Sequence, residues 1–172
     1  MKKYVLTLCI ALVSMCAFAQ EGQKAVGFNL SYGTEISNIG IGVKGQYNFT
    51  EAIRGEASFD YFLKKDGLSM WDFNVNAHYL FPVANGFKVY PLAGLCYTHW
   101  SFDGGDFYDG LEEYVGDVDD EVSSNTGKLG VNLGGGVQYD LTSNLVLNFE
   151  LKYQLISDYN QAVFGVGLAY KF

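Results

Sequence analysis

The stretch LVLNFELKYQL, Leu145 to Leu155, decides the fold. Leu145, Leu147, Phe149, Leu151, Tyr153 and Leu155 hold its odd positions. Asn148, Glu150, Lys152 and Gln154 hold the even positions after Val146. Successive side chains of a β-strand point to opposite faces, so this strand has one greasy face and one charged face. What remains is whether the greasy face looks inward to a core or outward to lipid.

The same period-2 alternation recurs almost to the end of the chain, and it is the primary strand signal. It predicts eight strands, at about 25–33, 39–49, 52–63, 70–81, 87–100, 128–140, 145–155 and 161–172. In the third strand Ile53, Ala57, Phe59, Tyr61 and Leu63 oppose Arg54, Glu56, Ser58 and Asp60. In the fourth, Trp71, Phe73, Val75, Ala77, Tyr79 and Phe81 oppose Asp72, Asn74, Asn76 and His78. Pro91 and a mixed parity blur the fifth. Tight turns are expected at Thr50-Glu51, Pro82 to Gly86 and Thr142 to Asn144, and the connections between them include the long one at Ser101 to Gly127. Alternate connections of an up-and-down barrel share an end, so one end carries short turns and the other carries longer loops.

The beginning of the chain reads differently. Lys2 and Lys3 precede an apolar run from Val5 to Val13, and Ala17-Phe18-Ala19 forms an A-x-A cleavage site before Gln20. This is the pattern of a secretory signal peptide, too short to span a membrane as a helix. Residues 1–19 are therefore expected to be removed, leaving 20–172 as one domain. Lipoprotein processing at Cys16 is the rival, but Met15 is bulky for such a site. The mature chain keeps Cys96 alone, so no internal disulfide can form. Loss of Lys2 and Lys3 takes the formal charge from −8 to −10, which gives no electrostatic case for nucleic acid. Charges interrupt every later apolar run, so no transmembrane helix is expected.

Volume decides which face is inside. An eight-stranded barrel has an interior that side chains just fill. The apolar faces carry far too many Phe, Tyr, Trp and Leu side chains for that space. The opposite faces offer Gly130, Gly134, Gly136, Gly165 and Gly167 with small, polar and charged residues. Aromatic residues also gather at strand ends, as at Tyr47 and Phe49, Tyr79 and Phe81, and Tyr170 and Phe172. Outer-membrane barrels carry such girdles, with short periplasmic turns and longer outer loops. In a bilayer only a closed barrel satisfies every strand's backbone, so the first and last strands must pair. The expected fold is all-β, a single eight-stranded antiparallel up-and-down transmembrane barrel.

Over about Ala25 to Phe172 the chain resembles the small OmpA/OmpX-type outer-membrane β-barrel proteins. The resemblance rests on this architecture and on the ending Gly165-Val-Gly167-Leu-Ala-Tyr170-Lys-Phe172. Gly167, Tyr170 and Phe172 match the family's C-terminal assembly signal, while Gly165 stands where a polar residue is usual. The resemblance implies a Gram-negative outer membrane, insertion by its assembly machinery, contact with its lipid and periplasmic termini. It does not imply a particular function.

The inward set contains Arg54, Glu56, Asp60, Asp72, His78, Glu150 and Lys152, with Lys44, Asn132, Gln138, Asn148 and Gln154. Buried charges are expensive unless paired, so a plugged lumen with internal ion pairs is expected. Lys152 and Arg54 are the candidate partners of Glu150. The Ser101–Gly127 segment holds nine carboxylates and no Lys or Arg. Its spacing fits no EF-hand loop; Asp103, Asp106, Asp109, Asp117, Asp119 and Asp120 are candidate ligands only for a loosely held divalent ion. No cofactor is expected. His99, Ser101 and Asp103 supply the residue types of a hydrolase triad, but their parallel side chains need not converge. The reading is therefore a non-enzymatic barrel whose structural or surface-interaction role lies in its outer loops, with no extracellular partner named. A small-solute or hydrophobic-compound pore is the alternative, and a membrane-embedded lipid A hydrolase the third.

Overall fold

The computed structural model describes residues 22–65, 68–103 and 123–172. The expected signal peptide, and Asp106, Asp109, Asp117, Asp119 and Asp120, lie outside the described residues. Nine strands are present among those described: β1 (Lys24–Gly33), β2 (Asn38–Asn48), β3 (Ile53–Lys65), β4 (Leu68–Tyr79), β5 (Phe81–Ala84), β6 (Phe87–Asp103), β7 (Ser123–Asp140), β8 (Leu145–Ile156) and β9 (Gln161–Lys171). Each pairs antiparallel with its neighbours, and β1 pairs with β9, so the sheet closes into an eight-stranded barrel with one extra strand.

The extra strand is a continuation. Pairing of β4 with β6 runs from Leu68↔Phe102 to His78↔Leu92, and β5 keeps that register at Phe81↔Val89. The ladder breaks where Tyr79 and Leu80 would face Pro91 and Tyr90. Pro91 has no N–H to donate. Leu80 leaves the ladder, gives its own N–H to the Ala52 carbonyl at 2.7 Å and turns its side chain inward. The turn expected at Pro82 to Gly86 is thus shorter, with Gly86 at φ 73°, where a residue without Cβ is favoured. At the other end β6 and β7 run beyond the expected limits of 100 and 128, pairing as far as Asp103↔Ser123.

The wall is greasy outside. Phe28 and Leu129 are each 74 % exposed, and the large apolar residues of every long strand line the same surface. Phe59 and His99 stack against Trp71 on that surface, and Tyr97 packs on it at a tilt. The inside is mixed. Ile36, Phe62, Met70, Cys96, Trp100, Ile156 and Val163 form an apolar cluster at the loop end. Leu80, Tyr90 and Leu92 form a smaller one at the turn end. Polar and charged side chains fill the space between.

Candidate functional site

The polar interior is a side-chain network in two parts. Near the loop end, β3 and β4 place Asp60 directly opposite Asp72. Both carboxylates are buried, and Asn74 Nδ2 reaches each of them, at 3.4 and 2.9 Å. Asp60 also accepts from Asn29 and from the Ser31 and Ser58 hydroxyls, and Asp72 accepts from Gln154 Nε2 at 2.9 Å. Asn132 on β7 crosses the lumen to donate to Asn74 and Asn76, each at 2.9 Å. Lys152 is buried within electrostatic range of Asp72 and Asp60.

Nearer the turn end the network centres on Lys44. Its ammonium lies 3.7 Å from Glu56 and 3.5 Å from Glu150. Gln46 donates to Glu56 at 2.6 Å, and Tyr90 and Asn148 donate to Glu150 at 2.8 and 3.1 Å. Arg54 donates to Gln138 at 2.6 Å and to His78 Nδ1, while its guanidinium and the His78 ring both stack on Tyr90. Lys44, which is not among the two sequence candidates, is thus an ion-pair partner of Glu150. Lys152, two residues on along the same strand, points the same way as Glu150 and lies within electrostatic range of Asp72, Asp60 and Glu150 together. Lys44 reaches Glu150 past β1 and β9, because Gly165 and Gly167 leave that stretch of wall bare. A Cβ on Gly167 would sit 2.8 Å from Lys44 Nζ.

Glu56, His78 and Glu150 bring three ligand-type atoms within 4.8 Å of one another. They are nevertheless unsuited to a metal. Lys44 already supplies the cation to both carboxylates. An arginine can only donate, so His78 Nδ1 accepts from it and Nε2 must carry the ring hydrogen rather than a free lone pair.

The remaining sequence candidates fall as follows. Asp103 ends β6, at the last pair of the hairpin with β7. His99 faces outward, its ring 5.3 Å from Trp71. Gly167 faces inward and is buried; Tyr170 and Phe172 are exposed on the wall, and Phe172 N–H donates to the Lys24 carbonyl at 2.9 Å. Sequence reasoning missed Tyr90. Its even position was the available signal, and the neighbouring Pro91 obscured it.

A closed eight-stranded wall, greasy outside and polar within, is the architecture of a bacterial outer-membrane protein. The family model described as the outer membrane protein beta-barrel domain matches residues 5–172. The chain belongs to this family. It is 24 % identical to outer membrane protein X of Escherichia coli over 154 residues, covering 88 % of this chain and 78 % of that protein. The N-terminal β-barrel domain of Pseudomonas aeruginosa OprF aligns with a TM-score of 0.62 and 19 % identity, over 88 % of this chain and all of that one. Ail, the attachment invasion locus protein of Yersinia pestis, aligns at 0.59 and 18 %, over 89 % of this chain and 100 % of its own. The chain is a barrel of the Gram-negative outer membrane.

Proposed function

We propose that this barrel is a non-enzymatic surface-interaction protein with a closed lumen, oriented with its turn end in the periplasm. The observation that carries the reading is the hairpin of β6 and β7. From Ser123 to Leu129, β7 pairs with β6 but not with β8, whose pairing begins only at Gly130↔Ile156. On its other side β6 stays paired to β4 as far as Phe102. A short sheet therefore projects past the barrel, with one edge that is unpaired among the described residues. Such an edge offers unpaired N–H and C=O groups to an added strand. Lys128 stitches the base of that edge to Ser157 and Asp158, and the backbone of 123–127 lies beyond that anchor.

Charge narrows the partner. Ail has been seen in complex with the heparin analogue sucrose octasulfate. Here nine carboxylates and no Lys or Arg lie between Ser101 and Gly127, and they would repel such a polyanion. A cationic or neutral extended segment suits this end better. The pore reading is disfavoured by the apolar clusters at both ends of the lumen and by the small chamber beside Lys44. That chamber holds ≈ 20 Å³, room for about one water. The hydrolase reading is disfavoured by His99, whose ring is committed to Trp71 on the outer wall.

The test uses outer-membrane vesicles carrying the protein, applied to immobilised polylysine and to immobilised heparin. Retention on polylysine alone is expected, reduced by Asn125→Pro together with removal of the carboxylates. Retention on heparin would overturn the charge argument. Steady single-channel conductance of the purified barrel in planar bilayers would move the pore reading to first place.

A further inference from the structure

The imidazole of His78 is gripped unevenly. Its side chain is fully buried on the inward face of β4, one residue before the strand ends. From β3, Arg54 aims two donors at one ring nitrogen: Nε lies 3.2 Å and Nη2 2.9 Å from His78 Nδ1. Also from β3, Glu56 Oε1 lies 3.8 Å from His78 Nε2, beyond hydrogen-bond reach. The other Glu56 oxygen is engaged by Gln46 at 2.6 Å and by the Lys44 ammonium of β2 at 3.7 Å. From β6, Tyr90 stacks on the imidazole with ring centroids 4.8 Å apart and planes 10° from parallel, and the Arg54 guanidinium sits 4.8 Å over the same tyrosine ring. Glu150 of β8 completes the charges that reach the imidazole, while Arg54 Nη1 donates to Gln138 of β7 at 2.6 Å. One ring nitrogen is thus held at close range by a cation, and the other faces a carboxylate oxygen that it does not touch.

We propose that His78 is an acid-triggered switch, in which proton uptake at Nδ1 releases Arg54 and moves the imidazole onto Glu56. The neutral ring accepts at Nδ1, because an arginine has donors only, and carries its hydrogen on Nε2. A proton from solvent binds the Nδ1 lone pair, forming one N–H bond and breaking none. Nδ1 is then a donor facing two donors, and an imidazolium faces a guanidinium at hydrogen-bond distance. Both contacts from Arg54 are lost, and its fork keeps Gln138 and turns towards β7. The new charge draws Nε2–H onto Glu56 Oε1, closing the 3.8 Å separation to a charge-assisted hydrogen bond. The pairings therefore exchange, from Arg54–His78 in neutral solution to His78–Glu56 in acid. The exchange carries a cost. Lys44 and Arg54 balance Glu56 and Glu150 while His78 is neutral, so one more proton leaves this half of the network with a surplus positive charge in a buried space. The barrel thus loses stability as pH falls through the titration of His78. His99, stacked on Trp71 on the outer wall, shares none of these partners and serves as an internal reference.

The test follows nitrogen-15 signals of the histidine and arginine side chains by NMR, in the full mature barrel folded in nanodiscs, from about pH 8 downwards. His99→Gln assigns the two imidazoles. At neutral pH His78 should show a bare Nδ1 and a protonated Nε2. On acidification Nδ1 should gain its proton, and the Arg54 Nε and Nη2 signals should move over the same pH range; titration of His99 should leave them still. Urea unfolding gives a second reading. His78→Gln keeps an acceptor for Arg54 and cannot titrate. Its acid loss of stability should be smaller than that of the wild type by roughly tenfold in the unfolding equilibrium constant. If His78→Gln does not fold, the wild-type spectra decide alone. An Nδ1–H tautomer at neutral pH would overturn the proposal. So would protonation of His78 that leaves Arg54 unmoved, a barrel that unfolds in acid with His78 still neutral, or an acid response in His78→Gln as large as the wild type's.

Discussion

Replacing Lys44 with methionine should be a costly single change to the polar part of the interior. Methionine keeps the stem's packing and removes only the charge. Lys44 lies 3.5–3.7 Å from two carboxylates whose side chains are 2 % and 12 % exposed. At such separations one contact is worth about 4 kcal/mol even at an effective dielectric constant of about 20. Most of that offsets the desolvation of the three groups. What matters for the variant is the pair of carboxylates it leaves behind, and removing one partner of a buried pair typically costs about 3–5 kcal/mol. Glu56 keeps its hydrogen bond from Gln46, and Glu150 keeps those from Tyr90 and Asn148. These place the loss at the lower end, about 3 kcal/mol. Glu150→Gln added to Lys44→Met removes one stranded charge, so the double variant should fall short of the summed single losses by about 1–2 kcal/mol. The assay is urea unfolding of the barrel folded in lipid vesicles, followed through Trp71 and Trp100. Lys128→Met is the control: its partner Asp158 is 80 % exposed at the side chain, and that pair should be worth under about 1 kcal/mol. If Lys44→Met costs no more than Lys128→Met, or if the cycle is additive, the Lys44-centred network is not what holds this part of the lumen.

Gly165→Ala and Gly167→Ala should separate sharply in the same unfolding assay. A Cβ at Gly165 meets nothing nearer than 3.9 Å, whereas one at Gly167 intrudes on Lys44 and Asn148, so only the second should lose stability, by about 1–3 kcal/mol. Phe62→Ala removes the fully buried ring of the loop-end cluster; it should cost about 3–5 kcal/mol, and transient conductance in planar bilayers would show whether that cluster also seals the lumen. Deleting Phe172 should reduce the folded protein recovered from outer membranes while leaving refolding from urea into detergent intact. Equal loss in both settings would assign Phe172 to barrel closure through Lys24 and not to an assembly signal.

The wall of this barrel was legible because lipid imposes a strict alternation, and the limits of legibility follow from the same cause. At Leu145–Leu155 every second side chain meets hydrocarbon, so parity alone sorts Phe149 from Glu150. At Ser123–Gly127 the backbone is just as regularly paired, yet Ser, Ser, Asn, Thr and Gly show no alternation. Outside the hydrocarbon neither face of a strand has to be greasy, so the projecting hairpin left no periodic trace. The lumen pairing was hidden for a different reason. Parity put Lys44, Glu56 and Glu150 inside, but which of them touch depends on how far each strand is staggered against the next around the closed sheet. It depends also on two glycines in β9 that open the space between Lys44 and Glu150. Pro91 hid Tyr90 by interrupting the alternation at the one place where Leu80 leaves the ladder. A single strand's pattern thus reports the solvent on its two sides. It says nothing of the strand two or three positions round the barrel, and much of the polar chemistry of this protein is built from contacts of that second kind.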